Sequence, residues 1–241
     1  MVVKFAYPTL SPTRKKNLIF ESGTDSVFYE SGNFKPLIAI PSPRDIPEVK
    51  DAIVRYLQKF DKIWFKYWNQ SDEPYKYIKR YFLKSWKKEY THLIILPDDL
   101  VVNEVGVSRL VNKILSNQDR YKVLMGNCKI EYNSPYYAMT KNLPDLVRSY
   151  RLYDWYSEED IGKDFVGMMK VAYCGTPFAI LHKDVVKEAS FDNDRKYNGD
   201  IVSGHSEDLV LSHDLDKLNI PIWVHVGAYF VHMKGLKGAE I

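Results

Sequence analysis

The sequence predicts an α/β fold: a central, mostly parallel sheet flanked by helices, in one domain. Three observations predict it. Short runs rich in β-branched and aromatic residues recur at 37–40, 61–68, 93–96 and 121–125, as in strands buried on both faces. Between them, apolar residues repeat at i, i+3, i+4 and i+7, the spacing of amphipathic helices. Adjacent carboxylates, Asp98 and Asp99, stand just beyond the third run, where open α/β sheets bind ligands.

Taken in order, residues 1–34 read as an N-terminal extension: a strand at 2–6, then loop and turn signals around an apolar patch, Val27-Phe28-Tyr29. The domain proper spans 35–241. The strand Leu37-Ile38-Ala39-Ile40 runs into Pro41-Ser42-Pro43-Arg44, a rigid loop in which proline forbids helix and central strand alike. Asp45-x-x-Glu48 has the form of a capping box, with Pro47 in the first turn. Ile46, Val49, Ile53, Tyr56, Leu57 and Phe60 form the apolar face behind it. The strand at 61–68 completes a βαβ unit.

Residues 71–90 predict a second helix with Tyr75, Ile78, Phe82, Ser85 and Trp86 inward. Its other positions carry Lys76, Lys79, Arg80, Lys84, Lys87 and Lys88. Such a run reads first as a solvated face; its functional reading is contact of helix 76–88 with an anionic membrane surface or with nucleic acid. A helix led by Val107, Leu110, Val111, Ile114 and Leu115 follows the carboxylate pair, then the strand at 121–125.

The second half is less regular. Residues 127–164 show no clean period, with partial helix over 143–156, and gather Tyr132, Tyr136, Tyr137, Tyr150, Tyr153, Trp155 and Tyr156. Strands are expected at 171–173 and 178–181, a short helix at 183–189 and a polar loop at 191–204. Ser206-Glu207-Asp208 opens a helix with Leu211, Leu215 and Leu218 on one side, and 221–233 is extended. One domain with two functional halves is the simplest division: after a nucleotide-type half, the aromatic region suits an acceptor site, and it suits a plain packing layer as well.

With 45% apolar and 27% charged residues the 241-residue chain is globular rather than disordered. A net charge of +3 is too small to argue for specific nucleic acid binding. Two cysteines without a spacing partner exclude a disulfide scaffold or cysteine zinc site and fit a reducing compartment. There is no signal-peptide core at the start and no apolar stretch long enough to cross a bilayer, so a cytoplasmic location is expected. Walker, dinucleotide and nucleophile-elbow motifs are absent.

Three separated groups could carry chemistry together. Side-by-side carboxylates at a buried strand end repel and lose hydration, a cost a divalent cation removes. By themselves Asp98 and Asp99 read equally well as turn residues. Glu207 and Asp208 suit a helix N-terminus, where the dipole favours negative charge. His232 closes the last strand. Hard oxygens with one imidazole and phosphate oxygens suit manganese or magnesium.

The order of these pieces resembles the GT-A fold glycosyltransferases, in particular the large family-2-like group, over roughly residues 36–235. The resemblance implies a nucleotide-diphosphate sugar donor and an acceptor hydroxyl on a glycan, lipid or protein. It places Pro41, Ser42, Arg44 and Asp45 near the base and ribose. Leu96-Pro97-Asp98-Asp99 stands where the group has its DxD motif, with Pro97 in place of the first aspartate. Asp99 matches the metal-contacting aspartate and Asp98 the middle position of this donor site. Gly175 and Thr176 match the segment reaching the donor sugar. Glu207-Asp208 matches the Glu-Asp motif whose aspartate is the catalytic base in inverting members, and His232 a histidine that joins the metal, Mn2+ or Mg2+. Asn219-Ile220-Pro221-Ile222 resembles the turn into the final strands. Trp155 and Tyr156 are expected to line the acceptor cleft. Two rival classes remain: a nucleotidyltransferase making nucleotide sugars, although Pro41-Ser42-Pro43-Arg44 lacks the glycine such loops carry, and a non-catalytic module binding nucleic acid or membrane surface through the basic helix.

Overall fold

The apolar runs become the middle of one nine-stranded sheet. The structure, a computed structural model, describes residues 2–6, 17–21, 34–42, 44, 46–66, 74–84, 90–145, 153–162, 164–191, 195–197, 200–202 and 207–234. The first half comprises β1 (Val2–Ala6), β2 (Asn17–Glu21), β3 (Pro36–Ser42), α1 (Pro47–Leu57), β4 (Asp61–Lys66), α2 (Pro74–Lys84), β5 (His92–Ile95), β6 (Leu100–Val101), α3 (Glu104–Ser116) and β7 (Val123–Asn127). The second comprises β8 (Tyr136–Thr140), β9 (Trp155–Ser157), α4 (Glu158–Ile161), β10 (Met168–Val171), β11 (Tyr173–Cys174), β12 (Ala179–His182) and α5 (Lys183–Glu188). β13 (Arg195–Tyr197), β14 (Asp200–Val202), α6 (Glu207–Lys217), β15 (Ile222–Tyr229) and β16 (Val231–His232) complete it.

The sheet order is β1-β2-β4-β3-β5-β12-β7-β15-β10. β4, β3 and β5 are parallel, as are β7 and β15. β12 lies between the two groups and runs antiparallel to both β5 and β7. With β10 and the β1–β2 pair also antiparallel to their neighbours, the sheet is mixed, not mostly parallel. The physical reason is local. β12 follows β11, a strand of the separate β11-β8-β9 sheet, through the short segment 175–178, so it enters the large sheet without a helix of its own before it. β1 and β2 join the sheet through β4, so the N-terminal strands continue its edge.

Helices cover both faces. α2, α5 and α6 bury Tyr75, Ile78, Phe82, Val185, Val186, Leu211 and Leu215 against Leu37, Ala39, Leu93, Ile95, Val123 and Met125. α1 and α3 bury Val49, Ile53, Leu57, Val107, Leu110 and Ile114 against Ile38, Ile40, Ile94, Leu96 and Leu124. Successive residues of each central strand thus feed opposite cores, which is why these strands read as continuous apolar runs.

Several expectations shift. α1 begins at Pro47 with Ile46 at its N-cap and no side-chain cap bond; Asp45 and the patch 27–29 lie outside the described residues, as do Ser85, Trp86, Lys87 and Lys88. Trp155 and Tyr156 are strand rather than helix, because β9 pairs with β8. The polar loop at 191–204 contains the β13–β14 ladder, and Asn198-Gly199 between its strands is a hairpin-forming pair. Leu218 falls beyond α6 and is exposed. On the basic helix, Lys79 is partly buried rather than fully solvated: its ammonium donates to the carbonyls of Lys187 and Ala189 at the end of α5, where a helix terminus leaves carbonyls unpaired.

Phe230 locks the last strands. Its ring is fully buried, lies 5.5 Å from that of Phe178, and fills the space over Gly106 and Gly126. A Cβ at Gly126 would overlap the Phe230 ring and stand 2.9 Å from the Pro177 carbonyl oxygen. Gly126→Ala is therefore expected to lower unfolding free energy by about 1–3 kcal/mol, the usual cost of overpacking. Urea denaturation measures it, and an unchanged midpoint would refute this packing account.

Candidate functional site

The site forms where the parallel strands end. β3 and β5 are parallel, so Arg44, two residues past β3, meets Asp98, three residues past β5. β12 is antiparallel, so the segment before it, Gly175 to Phe178, arrives at the same edge. β15 is parallel to β7 and delivers Phe230, Val231 and His232 there as well. One sheet edge thereby collects residues from positions 41 to 232.

Asp98 and Asp99 are buried, 4% and 8% exposed. The backbone N–H of Arg44 donates to Asp98 Oδ2 at 2.9 Å, and its guanidinium grips both carboxylate oxygens through Nε and Nη2. Nη2 also lies 3.2 Å from Asp99 Oδ2. Burial pushes the Asp98 carboxyl above its ordinary value, opposed by the Arg44 bonds and charge. Arg44, expected beside a base and ribose, is thus the internal counter-ion of the pair.

His232 reaches Asp99 through a second, two-stranded ladder. β16 pairs antiparallel with β6, setting His232 opposite Leu100, and the Met233 N–H donates to the Asp99 carbonyl at 2.8 Å. His232 Nδ1 donates to the Lys129 carbonyl at 3.1 Å. A carbonyl only accepts, so Nδ1 carries the hydrogen and Nε2 is turned to Asp99 Oδ2, 3.1 Å away. Burial works against both charges, but their mutual hydrogen bond and attraction win: His232 is held above and Asp99 below its ordinary value.

These residues fit a hard divalent cation. Asp99 supplies a carboxylate oxygen and His232 an imidazole nitrogen whose partner nitrogen is fixed by a backbone carbonyl, the usual support of a ligating histidine. Among the described residues no group of three or more His, Cys, Asp or Glu side chains could hold a metal. A cation held here would have Asp99 and His232 as its protein ligands among the described residues and would need further oxygens from a bound ligand.

The second carboxylate group stands in the first turn of α6. Asp208 Oδ1 accepts from the Leu209 N–H at 2.8 Å, and Oδ2 accepts from the Tyr173 hydroxyl at 2.8 Å. A Cβ built on Gly175 would lie 3.5 Å from Asp208 Oδ2, so the carboxylate rests directly over that glycine. Thr176 and Phe178 take positive φ, 52° and 55°, two strained residues within three positions of the site. Burial holds the Tyr75 hydroxyl well above its ordinary value, followed by the charges of Asp208, Glu207 and Asp99, so all three carboxylates bear on one phenol.

Of the expected residues, Pro41 and the backbone of Ser42 end β3, while Arg44, Asp98, Asp99 and His232 form one cluster and Gly175, Thr176, Glu207 and Asp208 a second one. Trp155 stacks on Tyr153 at 4.6 Å and meets Tyr173 edge-on, adjacent to Asp208. Tyr156, next along the strand, turns away toward Lys141, 5.7 Å over its ring. Sequence reading missed Tyr75 and Tyr173, whose hydroxyls are invisible to an apolar periodicity. It also missed Arg44 as partner of Asp98.

No protein-family model matches the chain, and no curated protein matches it. Among solved structures it is similar to A197 from STIV, with a TM-score of 0.52 and 15% identity, over 86% of this chain and 98% of that one. The likeness concerns the fold: a mixed α/β sheet flanked by helices. Among the described residues no helix is long and apolar enough to cross a membrane.

Replacing Arg44 tests the ion pair. Arg44→Met leaves a buried carboxylate without its donors and is expected to cost about 1–3 kcal/mol, whereas Arg44→Met with Asp98→Asn recovers part of that loss. Equal stability of the single variant and the parent in urea would show that the pair does not hold this corner.

Proposed function

We propose that this chain is a GT-A-type glycosyltransferase, moving a sugar from a nucleotide-diphosphate donor to an acceptor hydroxyl. The observation that carries the reading is the meeting of Asp99 and His232, 133 positions apart in sequence, with Asp208 and Asp99 both within electrostatic reach of Tyr75. In this reading Pro41 stands on the nucleotide side, and Gly175 and Thr176 at the place of the sugar. Asp99 and His232 would hold Mn2+ or Mg2+, which when bound offsets the charge gathering on the leaving diphosphate.

The chain's own groups do the rest. Asp208, with one hydrogen bond to each oxygen, keeps a lone pair for the acceptor's proton. The acceptor oxygen then forms the new bond to the sugar's anomeric carbon. The bond from that carbon to the diphosphate breaks, its electron pair leaves with the nucleoside diphosphate, and the proton stays on Asp208. Trp155 and Tyr153, stacked beside Tyr173, form a surface for the acceptor.

The test combines binding and turnover. Mn2+ with UDP or GDP should raise the melting temperature more than the two separate shifts summed, and Asp99→Ala should abolish the excess. Nucleoside diphosphate release from a sugar nucleotide should require the cation, stop on chelation, and fall about 10²–10⁴-fold in Asp208→Asn with diphosphate binding kept. Full turnover in both variants would sink the assignment. Pyrophosphate release from a nucleoside triphosphate would replace it with nucleotidyl transfer.

A further inference from the structure

The buried Tyr75 hydroxyl lies within electrostatic reach of Asp208, Glu207 and Asp99. Tyr75 sits in the first turn of α2, 7% exposed, and its ring meets Phe191 edge-on at 6.0 Å. Phe191 is itself fixed: Asp214, buried in α6, accepts from the N–H groups of Ser190 and Phe191 at 3.0 and 3.1 Å. The Tyr75 ring therefore has a rigid seat. Its hydroxyl is 2.7 Å from Thr176 Oγ1, across 101 positions of sequence.

Thr176 is where the backbone is under strain. Its φ of 52° is left-handed, a conformation that a β-branched side chain rarely adopts and that costs on the order of 1–2 kcal/mol. Such a residue persists only when its surroundings over-determine it. Three ties do so here. The Gly175 N–H donates to the Ala138 carbonyl at 2.8 Å. The Pro177 carbonyl accepts from the Gly126 N–H at 2.9 Å. The third, between them, is the Tyr75 hydroxyl to Thr176 Oγ1, beside the buried Cys174 thiol, which also bonds to the backbone of Gly175 and Thr176. The turn so held sets Gly175 beneath Asp208 Oδ2.

We propose that Tyr75 is a positioning residue for glycosyl transfer: its hydroxyl clamps Thr176 in the left-handed turn and so keeps Gly175 packed against Asp208, the proposed base. The inference rests on the glycosyltransferase reading and adds to it a residue from the opposite half of the chain. Tyr75 remains a neutral hydroxyl throughout the working pH range, because burial and three nearby carboxylates oppose its ionisation. The clamp acts on alignment of base and sugar, not on the nucleotide, whose cluster at Asp99 lies on other elements. A displacement of about 1 Å in such alignment costs on the order of 10²-fold in rate.

The experiment measures nucleoside diphosphate release from UDP-glucose, UDP-N-acetylglucosamine and GDP-mannose with Mn2+. The full chain is compared with Tyr75→Phe, Thr176→Ala, Thr176→Ser and the Tyr75→Phe/Thr176→Ala double variant. Tyr75→Phe and Thr176→Ala should each lower kcat about 10–100-fold with KM and UDP or GDP affinity unchanged. Thr176→Ser should restore kcat, and the double variant should be no slower than either single one. A Tyr75→Phe protein with lowered melting temperature but parental kcat at 25 °C overturns the inference, as do additive losses in the double variant. Should Tyr75→Phe fail to fold, the contrast between Thr176→Ala and Thr176→Ser decides alone. Absence of release by the parent from all three donors overturns the glycosyltransferase reading itself, while parental turnover with unaffected variants overturns only the clamp.

Discussion

Two adjacent carboxylates buried at the end of a central strand must be neutralised, and much of this structure follows from how that is done. Asp98 and Asp99 sit where water cannot stabilise two like charges. The chain answers differently for each. Asp98 receives a multidentate grip from Arg44, which a side chain two residues past the neighbouring parallel strand can deliver. Asp99 is left with one contact to Arg44 and one to His232. The pair is thus divided into a structural half and a half whose partners are an imidazole and a shared guanidinium. The second half is the one proposed to hold a cation.

The mixed sheet makes that division possible. Inserting β12 antiparallel between two parallel groups brings the start of one strand to the edge where the others finish. Gly175 and Thr176 precede β12 and so lie beside residues that follow β5 and β7. Phe230, seated between Gly106 and Gly126, turns the chain out of β15 and hands it to the short β6–β16 ladder. That ladder is what sets His232 against Asp99. The cores above and below the sheet hold the edge rigid, while α6 presents Asp208 from one side.

Much of the fold was legible because its signals are local. Buried strands such as Leu93-Ile94-Ile95-Leu96 show themselves by continuity, and α1 and α3 by their period. Asp99, His232, Gly175, Thr176 and Asp208 could be named from their order along the chain. What was illegible is non-local. The antiparallel place of β12 between β5 and β7, and the positive φ of Thr176 and Phe178 just before it, are not announced by the letters Gly175-Thr176-Pro177-Phe178. Arg44 meeting Asp98 requires knowing that β3 and β5 are neighbours. Tyr75 and Tyr173 contribute through hydroxyls, yet in sequence they count only as apolar positions. Lys79 looked like one more solvated charge and instead completes the end of another helix. The β9 aromatics lacked a period because a three-residue strand is too short to show one.

The central claim is that Asp99 and His232 form a cation site completed by a diphosphate, with Asp98 left to Arg44. Anomalous diffraction from crystals grown with Mn2+ and UDP, and again with Mn2+ and GDP, tests it most directly. The account predicts one manganese peak within bonding distance of Asp99 Oδ2, His232 Nε2 and phosphate oxygens, with the Arg44–Asp98 pair intact. A peak coordinated by Asp98 in place of Asp99, or a bound diphosphate with no metal at His232, would contradict it.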